Sequence, residues 1–402
     1  MSDQFVQVTN ESWGRRLSKA LSGVVGGFLV VVVSIGVLAW NENRAVTTAR
    51  ALTEGAGAVI TLDPSGRAPG GAVTAGRLVH ANGRIVGPVP ADPDFATPAV
   101  PANTTRLTRV VEMYQWKEEK KSKTENKLGG GTETVTTYSY SRGWSKNAID
   151  SGNFAQPSGH RNPPAPVEGK TFTQKRTLAA GERSWGVAGP EIGSIGESRK
   201  LPVDQAKAQA IAAAIGTSVP VHVTQGAAYL GTDPARPEIG DLRISWEAAT
   251  ADRASIVAAD GGADLAPWTS SNGQPIFLVR EGDVPAAAMF EEARQANATM
   301  TWIFRAGGVF AMLVGFNVMF ALVGVIGDVI PFVGSIARFA TGLVAFALTA
   351  LLAPLVIGLA WIAARPLLGG AIIAVGVAAG AGLWIVARRR RAAEPEAAAA
   401  MG

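Results

Sequence analysis

Cysteine is absent from all 402 residues, which removes disulfides, thiolate nucleophiles and Cys-built zinc sites together. A domain of this chain facing an oxidising compartment must therefore be held by its core and hydrogen bonds alone. Charge is also scarce: 17% of residues are Asp, Glu, Lys or Arg, against 47% hydrophobic. The three histidines, His80, His160 and His222, lie far apart and show no metal-ligand spacing. There is no Gly-x-Ser-x-Gly elbow and no His-Glu-x-x-His. Gly169-Lys170-Thr171 lacks the upstream glycine of a phosphate-binding loop. Carboxylates are plentiful, but number alone does not make an acid and base pair. The expectation is a non-enzymatic protein with no catalytic residue, no metal and no cofactor.

What the chain has instead is long apolar runs. Leu21–Trp40, Ala306–Ile326, Phe339–Ala363 and Leu367–Ala387 are each about long enough to cross a hydrocarbon core of roughly 30 Å as a helix. They are apolar all round, which suits lipid rather than water. Their strongest interior polar group is Asn317, so an ion or proton pathway is disfavoured. The fold class expected is a multi-pass α-helical membrane protein with a large extracytoplasmic β-rich α+β domain. Its parts are a cytoplasmic segment 1–20, a signal anchor 21–40, an exported domain 41–300, three spans within 302–387 and a basic cytoplasmic tail 388–402.

Orientation follows from basic residues. Arg15, Arg16 and Lys19 precede the first run, Arg338 lies between the second and third, and Arg388–Arg391 follow the fourth. Placing these on the cytoplasmic side puts both termini inside and residues 41 to about 300 outside. Trp40, Trp302 and Trp361 then sit at the outer interface, and Trp13 and Trp384 at the inner one. Arg305 and Arg365 are outer-face exceptions. The arginine cluster after a span accounts for the net charge of +5 without nucleic acid, and no nucleic-acid partner is expected.

In the exported region, Arg77–Val86 around Asn82-Gly83 has the signature of a tight hairpin. Val110–Trp116 and Thr134–Trp144 read as strands flanking a charged, then glycine-rich tip from Lys117 to Gly131. Val203–Ile215 reads as a helix stopped by Gly216, and Leu242, Ile244 and Trp246 alternate as in a half-exposed strand. Asp283-Val284-Pro285 starts a helix that can run unbroken from 284 to 326, interruption at Thr299 or Thr301 being the alternative.

Two sets of residues are candidate surfaces. Tyr114, Trp116, Tyr138 and Tyr140 fall on one face of the paired strands, where they either pack in the domain or receive a flat or greasy ligand. Gly23 and Gly27 in the first span, Gly307, Ala311 and Gly315 in the second, and Gly376 and Gly380 in the fourth allow close helix packing or self-association. The loop Gly327–Ile336, apolar except for Asp328 and Ser335, is expected at the inner interface.

Several motifs occur in one order: Asn41-Glu42-Asn43-Arg44-Ala45-Val46, Gly76-Arg77-Leu78-Val79-His80, Val111-Glu112-Met113-Tyr114-Gln115-Trp116, Tyr138-Ser139-Tyr140, Gly159-His160-Arg161-Asn162-Pro163, Glu238-Ile239-Gly240-Asp241-Leu242-Arg243 and Arg365-Pro366-Leu367. Through them the chain resembles LUMA, the transmembrane protein 43 family. The resemblance implies one N-terminal span, a large lumenal or extracytoplasmic domain and three C-terminal spans. It further implies an endoplasmic-reticulum or inner nuclear membrane in animal cells, self-association and nuclear-envelope partners, with no catalytic residues to carry over. The Ala, Gly and Arg-rich composition points instead to a bacterial inner membrane without lamina-type partners, the eukaryotic membrane being the alternative. In that alternative Asn103 and Asn297 head glycosylation triplets.

The function expected is a membrane organiser that self-associates and contacts lipid headgroups or other membrane and envelope proteins through its exported domain. The alternatives are an envelope ligand sensor using the aromatic face and an envelope enzyme around His160.

Overall fold

The computed structural model describes residues 3–69, 71, 74–362, 370–371, 373–385 and 388. The chain divides into two compact units. One comprises Met1–Val6, Ala51–Lys121 and Thr137–Ala293; the other comprises Gln7–Arg50, Ser122–Thr136 and Arg294–Gly402.

The first unit is β-rich. Four strands matter most below: β1 (Asp3–Glu11), β2 (Thr104–Asn126), β3 (Thr132–Ser145) and β4 (Leu242–Thr250), of which residues 7–11, 122–126 and 132–136 belong to the second unit. An eight-stranded sheet runs β1, β3, β2, β4, Ala227–Leu230, Val221–Thr224, with Lys170–Thr173 also on β2 and Glu197–Leu201 also on β4. Along β4, Leu242, Ile244, Trp246 and Ala248 are buried while the intervening side chains are partly exposed, as the alternation requires. They pack with Ala208, Ile211 and Ala212 of the helix Gln205–Ile215. Asp204 caps that helix by accepting from Lys207 N, and Gly216 ends it at φ 75°.

A seven-stranded sheet runs Leu265–Ala266, Arg253–Asp260, Leu78–Val86, Arg176–Ala180, Arg183–Val187, with Leu278–Glu281 and Ile60–Thr61 at its flanks. Its core centres on the fully buried Trp185. The expected hairpin at Asn82-Gly83 does not form. Leu78–Val86 is one strand, in which Asn82 pairs with Ser255 and Gly83 with Ala254. Glycine is needed there for space: a Cβ on Gly83 would meet the Ala179 carbonyl oxygen at 2.5 Å.

The second unit holds α3 (Pro331–Ile362) and all of α1 (Trp13–Ala58) and α2 (Ala286–Gly327) except residues 51–58 and 286–293, and all three helices are long and apolar enough to cross a bilayer. Helix α2 is unbroken, with no interruption at Thr299 or Thr301. The expected loop Gly327–Ile336 shortens to a turn, because Pro331 opens α3 at a position where its missing N–H costs nothing. A fourth apolar helix covers Ile373–Ile385. The remaining ends of the expected span Leu367–Ala387, the Arg365-Pro366-Leu367 motif and most of the basic tail lie outside the described residues.

The N-terminal segment holds a strand. Residues 1–20 were expected on the opposite side of the membrane from residues 41–300. In the structure Asp3–Glu11 is a strand of the eight-stranded sheet, and Asp3 bonds His160 at 2.7 Å. Within the second unit, the Arg16 guanidinium donates to the Gly130 carbonyl in the turn between β2 and β3. The alternating Phe5, Gln7 and Thr9 against Val6 and Val8 carried the strand signal beneath the polar composition.

Candidate functional site

Strands β2 and β3 and the loop 155–162 build a closed box around His160, which is 3% exposed. It stacks on Tyr140 at 3.8 Å between centroids and receives the Trp116 ring edge-on at 4.7 Å. Its Nδ1 lies 2.9 Å from the Gln156 carbonyl and its Nε2 2.7 Å from Asp3 Oδ2. The Tyr140 hydroxyl donates to Glu118 and accepts from Gln156 N. Burial first, and then the Glu118 carboxylate, push the Tyr140 phenol up to about 12. Asn162 closes the box by accepting from Trp116 N and donating to Trp116 O. A base needs a nitrogen free to reach substrate, and here both are occupied in a ring enclosed by aromatics.

The four expected aromatics do not form one receptor face. Trp116 and Tyr140 enclose His160. Tyr114 sits edge-on to Trp144, which carries the Arg243 guanidinium over its ring at 3.8 Å. Tyr138 lies against Phe5 of β1 at 6.0 Å. None of the four lines the clefts of about 680 Å³ beside Arg109, Gln115 and Lys170 or about 690 Å³ beside Arg161 and Asn162.

The other histidines are separate. His80 is buried on Leu78–Val86 with Nε2 against the Val284 carbonyl, and burial holds its basicity down. His222 reaches the Thr232 carbonyl. Asn103 donates to Asp252 with the Thr105 hydroxyl buried, and the Asn297 amide bridges Arg44 and Ala45 O. Both expected glycosylation triplets therefore have structural duties.

Two charged clusters went unnoticed in the sequence. Glu42, with no exposed side-chain surface, takes both arms of Arg305 and the Trp361 indole, joining α1, α2 and α3. Asp328, equally buried, accepts from Arg16 and Arg338, while Trp13 donates to Val325 O. Glu42 after one apolar run and Arg305 before another, opposite in charge at one predicted depth, were the available signal.

The glycines divide in use. Gly27 and Gly315 face each other so closely that a Cβ on either would strike the opposite backbone, and Gly23 makes an ordinary contact with Val318. Gly376 lies against Pro354 and Gly380 against Leu351. A Cβ on Gly307 would meet nothing, and with Ala311 it lines an apolar groove of about 440 Å³ between α1 and α2.

With this geometry established, comparison with known proteins is informative. The sequence profile of transmembrane protein 43 matches residues 113–366. The chain belongs to the transmembrane protein 43 family. Mouse transmembrane protein 43 is 29% identical over 383 residues, covering 90% of each chain. The human protein is 29% identical over 368 residues, 88% of this chain and 87% of its own. A Drosophila homologue is 28% identical over 361 residues, 87% and 91% respectively. No solved structure matches. Within the box of this family member, Trp116, Tyr140 and His160 fall inside the profile match and Asp3 outside it. These relatives are animal proteins and give no support to a bacterial inner membrane.

Proposed function

We propose that this membrane protein is a non-enzymatic organiser, in which α2 and α3 cross the bilayer as an antiparallel pair and copies of the chain associate through their membrane helices. The β-rich domain contacts lipid headgroups or other membrane proteins. An endoplasmic-reticulum or nuclear-envelope membrane fits the animal relatives. The observation that carries self-association is the contrast among glycines: Gly27, Gly315 and Gly380 are consumed in contacts within the chain, whereas Gly307 is open beside a groove lined almost wholly by apolar atoms. The enclosure of His160 supports the non-enzymatic reading, because neither ring nitrogen can reach a substrate. The scattering of Tyr114, Trp116, Tyr138 and Tyr140 argues against a sensor built on them.

The test introduces Gly307→Leu and crosslinks the intact protein in membranes, with Gly307→Ala as the mild control. Loss of the crosslinked oligomer with the monomer still folded is expected. An oligomer unchanged by leucine, or no oligomer in the native chain, overturns the assembly reading.

A further inference from the structure

We propose that the groove between α1 and α2 holds one acyl chain of an anionic phospholipid, whose phosphate is received by Arg44 at the groove's end. The groove, of about 440 Å³, is lined by Leu29, Val33 and Val37 on α1 and by Phe304, Gly307 and Ala311 on α2. Spacings of three and four residues make each set one stripe along its helix. From Leu29 to Val37 the stripe rises about 12 Å. Both stripes then run on into polar residues: Asn41 and Arg44 on α1, Thr301 and Asn297 on α2. Inside the groove the Ser34 hydroxyl is already spent, donating to Val31 O of its own helix. An apolar channel with polar groups at one end selects an amphipathic occupant.

Charge decides the headgroup. Arg44 Nη1 donates to Asn297 Oδ1 at 3.2 Å, and Nη2 donates to Asn41 Oδ1 at 3.2 Å and to the Thr301 hydroxyl at 3.3 Å. All three acceptors are neutral, and the Arg44 Nε is buried with no acceptor among the described residues. By contrast, Arg305 is paired with Glu42, and Arg16 and Arg338 with Asp328. Glu42, two residues from Arg44, is taken up by Arg305 and the Trp361 indole. Arg44 is thus a cation whose counter-charge is missing among the described residues. It also stands at the groove's mouth, its guanidinium 5.7 Å from the ring of Phe304 that lines the groove. Trp40 meets that ring edge-on at 5.4 Å and is exposed, and indoles favour the headgroup level of a bilayer. Arg44 lies one turn beyond Trp40, where phosphates lie. A phosphate brings negative charge and several acceptor oxygens to a guanidinium.

Because Gly307 also belongs to the face proposed for association, a bound chain and a second copy exclude each other. That consequence rests on the assembly reading; the lipid site does not. The test reconstitutes the intact protein in nanodiscs of equal parts phosphatidylglycerol and phosphatidylcholine, then releases and weighs it by native mass spectrometry. Phosphatidylglycerol retained on the monomer should exceed phosphatidylcholine about tenfold. Arg44→Gln should abolish that preference, and Arg44→Lys, which keeps the charge, should preserve it. Gly307→Leu fills the groove and should remove the lipid with Arg44 untouched. Arg50→Gln, which deletes an exposed charge farther along α1, should change nothing. Far-UV circular dichroism checks that each variant keeps its helices. Equal retention of the two lipids by the native chain overturns the site, as does a preference surviving in Arg44→Gln. Retention unchanged in Gly307→Leu overturns it too, since a phosphate bound without its chain ignores the groove. So does an Arg50→Gln loss as large as that of Arg44→Gln, which reports general attraction to basic surface. Crosslinking the same samples keeps the two readings apart: lipid on a chain that never forms an oligomer removes the assembly alone, and an oligomer whose monomer retains no lipid removes the lipid site alone.

Discussion

The buried Glu42 carboxylate accepts two hydrogen bonds from Arg305, at 2.6 and 2.7 Å, one to each oxygen. The pair ties α1 to α2 at the level where Trp361 of α3 also donates to Glu42. Glu42→Ala strips a mostly buried guanidinium of its counter-charge and should cost about 3 kcal/mol. The thermal midpoint in detergent should fall accordingly, and adding Arg305→Met should recover part of the loss. If the double variant is as unstable as the sum of its parts, the two residues are not coupled.

Labelling tests which side of the membrane the Arg16 contacts occupy. Leu128 is 89% exposed in the turn between β2 and β3, the turn whose Gly130 carbonyl binds Arg16. Arg16 also binds Asp328, and Ser335 lies on the following helix. Cysteines at Leu128 and Ser335 should therefore react with a membrane-impermeant reagent from the same side. Reaction from opposite sides would remove the Arg16 bridge from the membrane-embedded protein.

At Gly83 the prediction concerns space rather than flexibility. Alanine there pushes against the Ala179 carbonyl in the neighbouring strand, so Gly83→Ala should lose about 1–3 kcal/mol in chemical unfolding. A neutral result would show that the strands can separate at no cost.

Acid should weaken the domain in two stages. Burial favours neutral His80, whose folded value lies below 6.5, so stability present above that value falls as acidification approaches the folded value. For Asp260, burial acts upward, but Arg183, Gly262 N and Trp185 prevail and hold the carboxyl below 3.8. Its contribution is present above 3.8 and is lost as pH falls through the lower folded value. Unfolding midpoints measured from about pH 8 to about pH 3 should show both losses, and Asp260→Asn should abolish the second. Persistence of the acid stage in that variant assigns it to another carboxylate.

What was legible depended on whether the signal was local. Leu242, Ile244 and Trp246 announced their strand, Gly216 its helix stop, and the apolar runs their helices, because each pattern is complete within a few turns. Asn82-Gly83 carried an equally local hairpin signal, but the glycine served a strand nearly a hundred residues away. Asp3 and His160 lie 157 residues apart, and a polar N-terminal segment gives no sign of its partner. Gly307 and Gly315 look alike in sequence; only the position of α1 separates the open one from the packed one.

Helix α2 yields the final prediction. From Ala286 to Gly327 it contains no proline or glycine pair before Gly307-Gly308, and an α-helix bends little without such a breaker. Met289 and Phe290 are buried with Ile276 and Leu52, anchoring its first turns. Farther along, Asn297 takes a bond from Arg44 and gives one to Ala45 O, while Thr301 O accepts from Asn41. Ala296 is exposed between these two sets of contacts. Ala296→Pro removes one backbone hydrogen bond and sets a ring against the preceding turn, at about 3 kcal/mol, while leaving every apolar run intact. Amide exchange over 291–300 should be slow in the native chain and fast in the variant, with the helix Gln205–Ile215 unchanged as an internal reference. Fast exchange in the native chain would mean that this stretch is a tether, since an intact hydrogen-bond ladder protects its amides wherever it is anchored at both ends.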